Sequence, residues 1–232
     1  LIPELLQQDY ADFEVIVVED RSNDGSFDYL HEMASQNHQL RVIPIKHRPD
    51  HINGKKFALT LGIKAAKHEW VLLTDADCRP RSNKWIGEMS SQFSNGTDIV
   101  LGYSPYLRSP GFLNSFIRYE GLTTATQYAA MALLGKPYMG VGRNLAYRKN
   151  IFLDNKGFNS HLSVTGGDDD LFINEVCNGS NTKLFAGEDS IVYSKPKTTW
   201  SEYYFQKVRH LSVGKHYKTA DKIRLGIFNI TL

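Results

Sequence analysis

The chain has 232 residues, is 41% hydrophobic and 22% charged, and carries a formal net charge of +2 from 27 basic and 25 acidic side chains. This composition is globular, the length suits one large α/β unit, and the near balance of charge gives no reason to expect a nucleic-acid partner. Cys78 and Cys177 make no disulfide framework and suit a reduced, cytosolic compartment.

The opening Leu1-Ile2-Pro3-Glu4-Leu5-Leu6 reads as the middle of a helix. Residues 13–18, Phe-Glu-Val-Ile-Val-Val, form an expected strand that runs into a polar loop, and 26–37 an expected helix with a Ser or Asp cap. Residues 40–45 form a second strand, 49–54 a loop, and 55–67 a helix with apolar spacing at Phe57, Leu61 and Ala65. The short apolar run 70–73 reads as a buried strand, 83–93 as a helix and 98–102 as a strand. Strands alternating with helices of this length imply parallel βαβ units.

After Tyr103 the alternation breaks. Residues 110–134 read as one or two amphipathic helices, with core packing favoured over a membrane-surface or acceptor-facing role. A glycine-containing loop at 140–147 leads into a strand, and 171–177 is a helix with an acidic N-terminus. Residues 183–192 give short strands and 199–218 a long basic-aromatic helix. Basic side chains concentrate over 195–224, where a local anionic partner fits. No stretch reaches the ~18 apolar residues of a membrane-spanning helix, and no signal peptide is visible. The closing run 226–232 is apolar and cut short, so the expectation is a single domain over 1–232, truncated at both ends of a longer protein.

Five polar clusters fall at loop positions beside these elements. In Thr74-Asp75-Ala76-Asp77, an apolar run ends in two carboxylates at a strand's C-terminal edge, where open α/β sheets bind ligands. Asp75 and Asp77 would share a face if the strand continued, and together they suit a hard divalent cation. The plain alternative is a strand-end turn. Glu19-Asp20 ends the first strand, where a carboxylate can accept from a base N–H or ribose hydroxyls, or merely cap a helix. Gly54-Lys55-Lys56 offers Lys55 to phosphate charge, against the alternative of a solvated lysine. In Asp168-Asp169-Asp170, mutual repulsion raises the pKa of one carboxylate toward that of a general base, unless the triplet is only a helix start. In Gln206-Lys207-Val208-Arg209-His210, Gln206 and Arg209 share a helix face, and Arg209 can fork onto phosphate.

In this order the clusters resemble a family 2 glycosyltransferase of the inverting, processive-synthase-like group. The loop Val17-Val18-Glu19-Asp20-Arg21-Ser22-Asn23-Asp24-Gly25-Ser26 is similar to the family's Val-Val-Asp-Asp-Gly-Ser-x-Asp-Gly-Thr. Gly54-Lys55-Lys56-Phe57-Ala58-Leu59-Thr60 resembles Gly-Lys-x-x-Ala-Leu-Asn, and Asp75-Ala76-Asp77 is the Asp-x-Asp. Gly167-Asp168-Asp169-Asp170-Leu171 resembles Glu-Asp-x-Asp-Leu, and Gln206-Lys207-Val208-Arg209-His210 resembles Gln-x-x-Arg-Trp. The departures are Arg21 for glycine, which changes the turn, Gly167 for glutamate, and His210 for tryptophan; the family's opening strand is also absent.

The resemblance implies an α/β, Rossmann-like GT-A fold with a mainly parallel central sheet flanked by helices, here a glycosyltransferase catalytic domain. It implies metal-dependent transfer of a sugar from a nucleoside-diphosphate sugar, a UDP-sugar first, to a hydroxyl acceptor with inversion. Glu19 and Asp20 would face the base and ribose, Lys55 the phosphates, and Asp75 the ribose and metal region. Asp77 would ligate Mg²⁺ or Mn²⁺, Gln206 and Arg209 would hold the diphosphate, and Asp168 or Asp169 would serve as base. A glycan or lipid-linked acceptor, following membrane helices, and a position on the cytoplasmic side of a membrane complete the expectation. The rival readings are a sugar-nucleotide nucleotidyltransferase, which would need a glycine-rich phosphate loop, and a non-catalytic nucleotide- or glycan-binding domain.

Overall fold

A computed structural model describes residues 1–49 and 52–231, with side chains except at 229 and 231. Residues 50 and 51 of the expected 49–54 loop, and Leu232 at the end of the apolar run, lie outside the described residues. Helix α1 (Ile2–Leu6) carries Pro3 in its first turn, where the missing N–H costs nothing. Strand β1 (Val15–Glu19), helix α2 (Ser26–Gln36), β2 (Leu40–Pro44) and α3 (Gly54–Ala65) follow, then β3 (Trp70–Leu73), β4 (Cys78–Pro80), α4 (Trp85–Ser90) and β5 (Ile99–Leu101). The second half holds α5 (Phe112–Leu133), β6 (Leu145–Arg148), α6 (Lys149–Asp154), α7 (Asp170–Val176), β7 (Thr182–Leu184), β8 (Val192–Ser194), α8 (Trp200–Gly214) and α9 (Thr219–Thr231).

Strands β1 and β2 pair in parallel, as the βαβ reading expects. The central sheet has the order β3-β6-β5-β7. β6 is antiparallel to both β3 and β5, whereas β5 and β7 are parallel. So β3, β5 and β7 run one way and β6 alone is reversed. The strand directions are mainly parallel, but the ladders are mixed because β6, reached through the long α5, inserts between β3 and β5. A short antiparallel pair, β4 with β8, stands beside this sheet.

Alternation along the strands builds two cores. Ile99, Leu101, Leu145 and Tyr147 pack with Phe152, Phe158 and Phe172 on one face. Val100 and Ala146 pack on the other with Leu5, Trp85 and Met89. Period two sends neighbours to opposite faces, so helices on both sides are needed to bury the sheet. Phe172 and Phe152 are buried almost completely, and each such side chain contributes about 1.5–3 kcal/mol through removal from water.

The expected 110–134 segment is the single helix α5. Its Ile117, Ala125, Tyr128 and Met131 are buried, while Phe112, Tyr119 and Leu122 are exposed. The expected 199–218 helix ends early: α8 stops at Gly214, and a further helix, α9, begins at Thr219. The break coincides with tertiary bonds. The Tyr217 hydroxyl donates to Asp170 Oδ2 at 2.8 Å, and the Lys218 N–H to Asn174 Oδ1 at 3.0 Å.

Candidate active site

The β3 ladder stops at Leu73, and the Cys78 N–H donates to the Asp75 carbonyl at 3.0 Å, closing a turn before β4. Asp75 and Asp77 are therefore turn residues at the end of β3, not members of a continuing strand. The turn still brings them together: one ligand atom each from Asp75, Asp77 and Cys78 lie within 4.8 Å of one another. Cys78 is buried, and its Sγ lies 3.5 Å from Asp77 Oδ1. Burial, then the charges of Asp77 and Asp75, push the thiol pKa up to about 12. The two carboxylates are the hard oxygen donors at this corner.

Helix α3 starts with Asn53, whose side chain accepts from the Lys55 and Lys56 N–H groups. The two adjacent lysines then part company. Lys55 Nζ reaches into the cleft, 3.0 Å from Asp75 Oδ1 and 2.9 Å from Asp168 Oδ2. Surrounding protein pulls its pKa down, but the charges of Asp168, Asp75 and Asp169 more than reverse this and hold it raised. Lys56 is fully buried and donates to the carbonyls of His161 and Val164, with burial lowering its pKa. It is no solvated lysine; it fastens α3 to the segment that leads into the acidic triplet.

That segment turns through Gly166 at φ +88° and Gly167 at φ +74°. A Cβ at Gly167 would sit 2.5 Å from Leu171 Cδ1. This left-handed, crowded backbone accounts for glycine where the resembled motif has glutamate. Asp168 is buried against Lys55, and its Oδ1 carries no hydrogen bond from the described residues. Asp169 accepts from the Gly142 N–H at 2.7 Å and, as the N-cap of α7, from the Asp170 N–H at 2.8 Å. Burial and the neighbouring Asp168 charge raise the Asp169 pKa. Asp170 is raised also, first by burial and then by Asp169, and is tied to Tyr217.

Helix α8 supplies the opposite wall. Gln206 and Arg209 line the same cleft of about 1120 Å³ as Lys55, Asp75, Asp77 and the acidic triplet. Lys207, between them, pairs with Glu120 of α5 and holds α8 in place. His210 also lines the cleft but is exposed; the protein around it, then the charges of Lys207 and Arg209, hold its pKa below the ordinary imidazole value.

Glu19 and Asp20 are not among the residues lining this cleft. Glu19 is buried, and its carboxylate accepts the Ser22 N–H, which lowers its pKa. Its job is to fold the loop. Asp20 Oδ2 lies 3.2 Å from Arg48 and Oδ1 3.1 Å from Arg21. A Cβ at Gly54 would come 3.3 Å from Asp20 Oδ2, so Asp20 stands at the edge of the cleft beside Lys55. Arg21 adopts φ +60°, the left-handed conformation that glycine takes easily, so the turn retains a glycine-like backbone without glycine.

Sequence reasoning passed over Arg48, Arg143, Asn144 and Tyr217. Asn144 is buried and holds the 140–144 loop: its side-chain amide donates to the Tyr103 and Ser190 carbonyls at 2.9 and 2.8 Å, and its oxygen accepts from Trp85 Nε1 at 3.0 Å. The glycines at 140 and 142 were the available signal, because they mark a loop where backbone packs closely.

Comparison with known proteins gives this geometry a context. The model of the family described as Glycosyl transferase family 2 matches residues 1–154. Glycosyltransferase GlyG of Streptococcus pneumoniae serotype 4 is 27% identical over 111 residues, which cover 47% of this chain and 36% of that protein. Among solved structures, the mannosyltransferase PcManGT from Pyrobaculum calidifontis, in complex with GDP-Man and Mn²⁺, aligns with a TM-score of 0.68 at 19% identity over 90% of this chain and 56% of that one. S. aureus TarS 1-349 in complex with UDP-GlcNAc aligns with a TM-score of 0.61 at 16% identity over 86% of this chain and 54% of that one. The chain thus spans between about a third and just over half the length of these relatives. At such identities the structural likenesses establish the fold, which is GT-A.

Proposed function

The chain belongs to glycosyl transferase family 2, and from that premise we propose that it transfers a sugar from a nucleoside-diphosphate sugar to an acceptor hydroxyl, inverting the anomeric centre in a single displacement. The observation that carries this reading is the convergence of Asp75 and Asp77, Asp168 and Asp169, and Gln206 and Arg209 on one cleft. A UDP-sugar is the first donor to test and a GDP-sugar the second, since the neighbours are in complex with UDP-GlcNAc and GDP-Man.

Asp20, at the cleft edge, receives the base or ribose, and Glu19 shapes the loop that presents it. Asp75 orients the ribose side. Arg209, with Gln206 on the same face of α8, grips the diphosphate. Lys55 holds Asp75 and Asp168 at their separation and offsets their charge. Asp168 takes the acceptor proton, because its Oδ1 is free to accept a hydroxyl while both oxygens of Asp169 are engaged by backbone N–H groups. Asp169 holds the 140–144 loop in place through Gly142.

The donor set at the end of β3 fits a hard divalent cation, Mg²⁺ or Mn²⁺, because two carboxylates converge there. Asp77 and Asp75 would hold the ion, which when bound offsets charge on the leaving diphosphate.

We also place the acceptor, a glycan or a lipid-linked one, and the protein itself at the cytoplasmic surface of a membrane. Three exposed apolar stripes support this: Phe112, Tyr119 and Leu122 on α5, Tyr204, Phe205 and Leu211 on α8, and Ile223, Ile227 and Ile230 on α9. Such faces, with lysine and arginine around them, suit the headgroup boundary of a bilayer. No described helix is long and apolar enough to cross a membrane.

The test uses the full-length protein with UDP- and GDP-sugars, with and without Mn²⁺. Donor turnover that needs metal, is abolished in Asp77→Asn, and falls about 10²–10⁴-fold in Asp168→Asn with donor affinity kept supports the reading. Binding without turnover on any donor would leave a nucleotide-binding domain; full turnover in Asp168→Asn would remove it as the base.

A further inference from the structure

Arg143 has no part in the roles above. It follows Gly142, whose N–H is bonded to Asp169 at 2.7 Å, and it lines the cleft. Its position is set by Asn144, which pins the loop to Trp85, Tyr103 and Ser190. The guanidinium lies 4.6 Å from the centre of the Tyr106 ring, and Tyr106 rests on Gly121 of α5, where a Cβ would come 3.1 Å from the ring. The side chain is thus braced on the α5 wall and is not a mobile surface arginine.

One terminal nitrogen, Nη1, is sealed from solvent and has no hydrogen-bond partner among the described residues. Arg143 also forms no ion pair among the described residues, although the cleft contains several carboxylates. Most of these have partners already: Asp75 and Asp168 share Lys55, Glu120 takes Lys207, and Asp170 takes Tyr217, while the Asp77 carboxylate meets only the Cys78 thiol among the described residues. Arg143 is close enough to Arg209 and His210 for its charge to act on the same imidazole. A guanidinium that is braced, partly dehydrated and unpaired is costly unless an acceptor arrives, and an oxyanion satisfies it best. The diphosphate end already has Arg209 and the proposed metal pair, whereas Arg143 directly follows Gly142, whose N–H is bonded to Asp169 beside the proposed base.

We propose that Arg143 is the specificity residue for the acceptor, receiving a phosphate or carboxylate carried close to the attacking hydroxyl. This rests on the glycosyl-transfer reading, and it makes the acceptor an anionic sugar or a phosphate-bearing glycan or lipid rather than a neutral one. Arg143 holds the anion and leaves proton removal to Asp168.

The experiment measures binding of glucose 6-phosphate, glucuronate and glucose to the full-length protein by saturation-transfer NMR, with UDP or GDP and Mg²⁺ present and again without nucleotide. At least one anion binds about tenfold or more tighter than glucose, as a charge-assisted pair would give. A preference confined to glucose 6-phosphate identifies phosphate as the group received, and one confined to glucuronate identifies carboxylate. Arg143→Gln reduces the preference to about threefold or less without changing nucleotide affinity, and Arg143→Lys retains part of it, because the charge survives but the fork does not. Equal binding of all three sugars to the wild type, or an unchanged preference in Arg143→Gln, overturns the proposal. So does a loss confined to nucleotide affinity, which would assign Arg143 to the donor phosphates. A protein that binds neither UDP nor GDP yet keeps an Arg143-dependent preference retains this site and refutes the transfer reading instead.

Discussion

Replacing Lys55 with methionine should tighten divalent-cation binding to the nucleotide-free protein. Lys55 Nζ lies 3.0 Å from Asp75 Oδ1, so it competes with any ion for that oxygen. Its side chain is 49% exposed, so a water-like dielectric is the fair choice. A dication about 5–6 Å from the ammonium then meets a repulsion of about 1–2 kcal/mol. Removing it, and freeing Asp75, tightens the dissociation constant by roughly tenfold. Lys55→Met keeps the length and apolar stem; the exposed Asp75 pair costs about 1 kcal/mol or less, while the buried Asp168 carboxylate loses its partner at about 1–3 kcal/mol or more. The assay is Mn²⁺ titration followed by electron paramagnetic resonance, with Asp77→Asn as the variant that loses binding and circular dichroism as the folding check. Mn²⁺ affinity that is unchanged or weaker in a folded Lys55→Met protein would refute the proposed metal corner and the electrostatics derived for it.

Asn144→Leu should lower unfolding free energy by about 3 kcal/mol or more, because it orphans the Trp85 indole N–H and two buried carbonyls; urea denaturation measures this, and a loss under about 1 kcal/mol would contradict it. Gly167→Ala should destabilise by about 1–3 kcal/mol, since it meets both φ +74° and a contact 2.5 Å from Leu171; a melting temperature equal to wild type would show that the turn relaxes freely. Glu19 has a folded-state pKa below the ordinary 4.5, so its contribution is present above that pH and is lost as pH falls through the depressed value. Glu19→Gln should therefore melt below wild type at pH 7, with the gap closing below about pH 4; a gap independent of pH would mean that the charge of Glu19 does no stabilising.

The family-like order of acidic clusters, the strand that ends before Asp75 and the helical spacing of Gln206 and Arg209 are legible in the chain because they depend on neighbours. An apolar run buries and a carboxylate stops it, and residues three apart on a helix share a face. The alternation of strands and helices up to Leu101 is equally local, so the expected elements fall within a few residues of the observed ones; β4, in a stretch that reads as a loop, owes its strand form to pairing with the distant β8. Local pattern does not decide which of two like neighbours goes where. Lys55 and Lys56 are adjacent lysines of one helix, yet one meets Asp75 and Asp168 in the cleft and the other meets the His161 carbonyl in the interior. Glu19 and Asp20 divide in the same way, one turned into its own loop and the other toward Arg48. The reversal of β6, the break between α8 and α9 at Tyr217, and the placement of Arg143 by Asn144 all come from partners far away in sequence. Those choices belong to the packed chain, because a side chain's direction, burial and charge environment are set by whichever distant backbone and carboxylates arrive beside it.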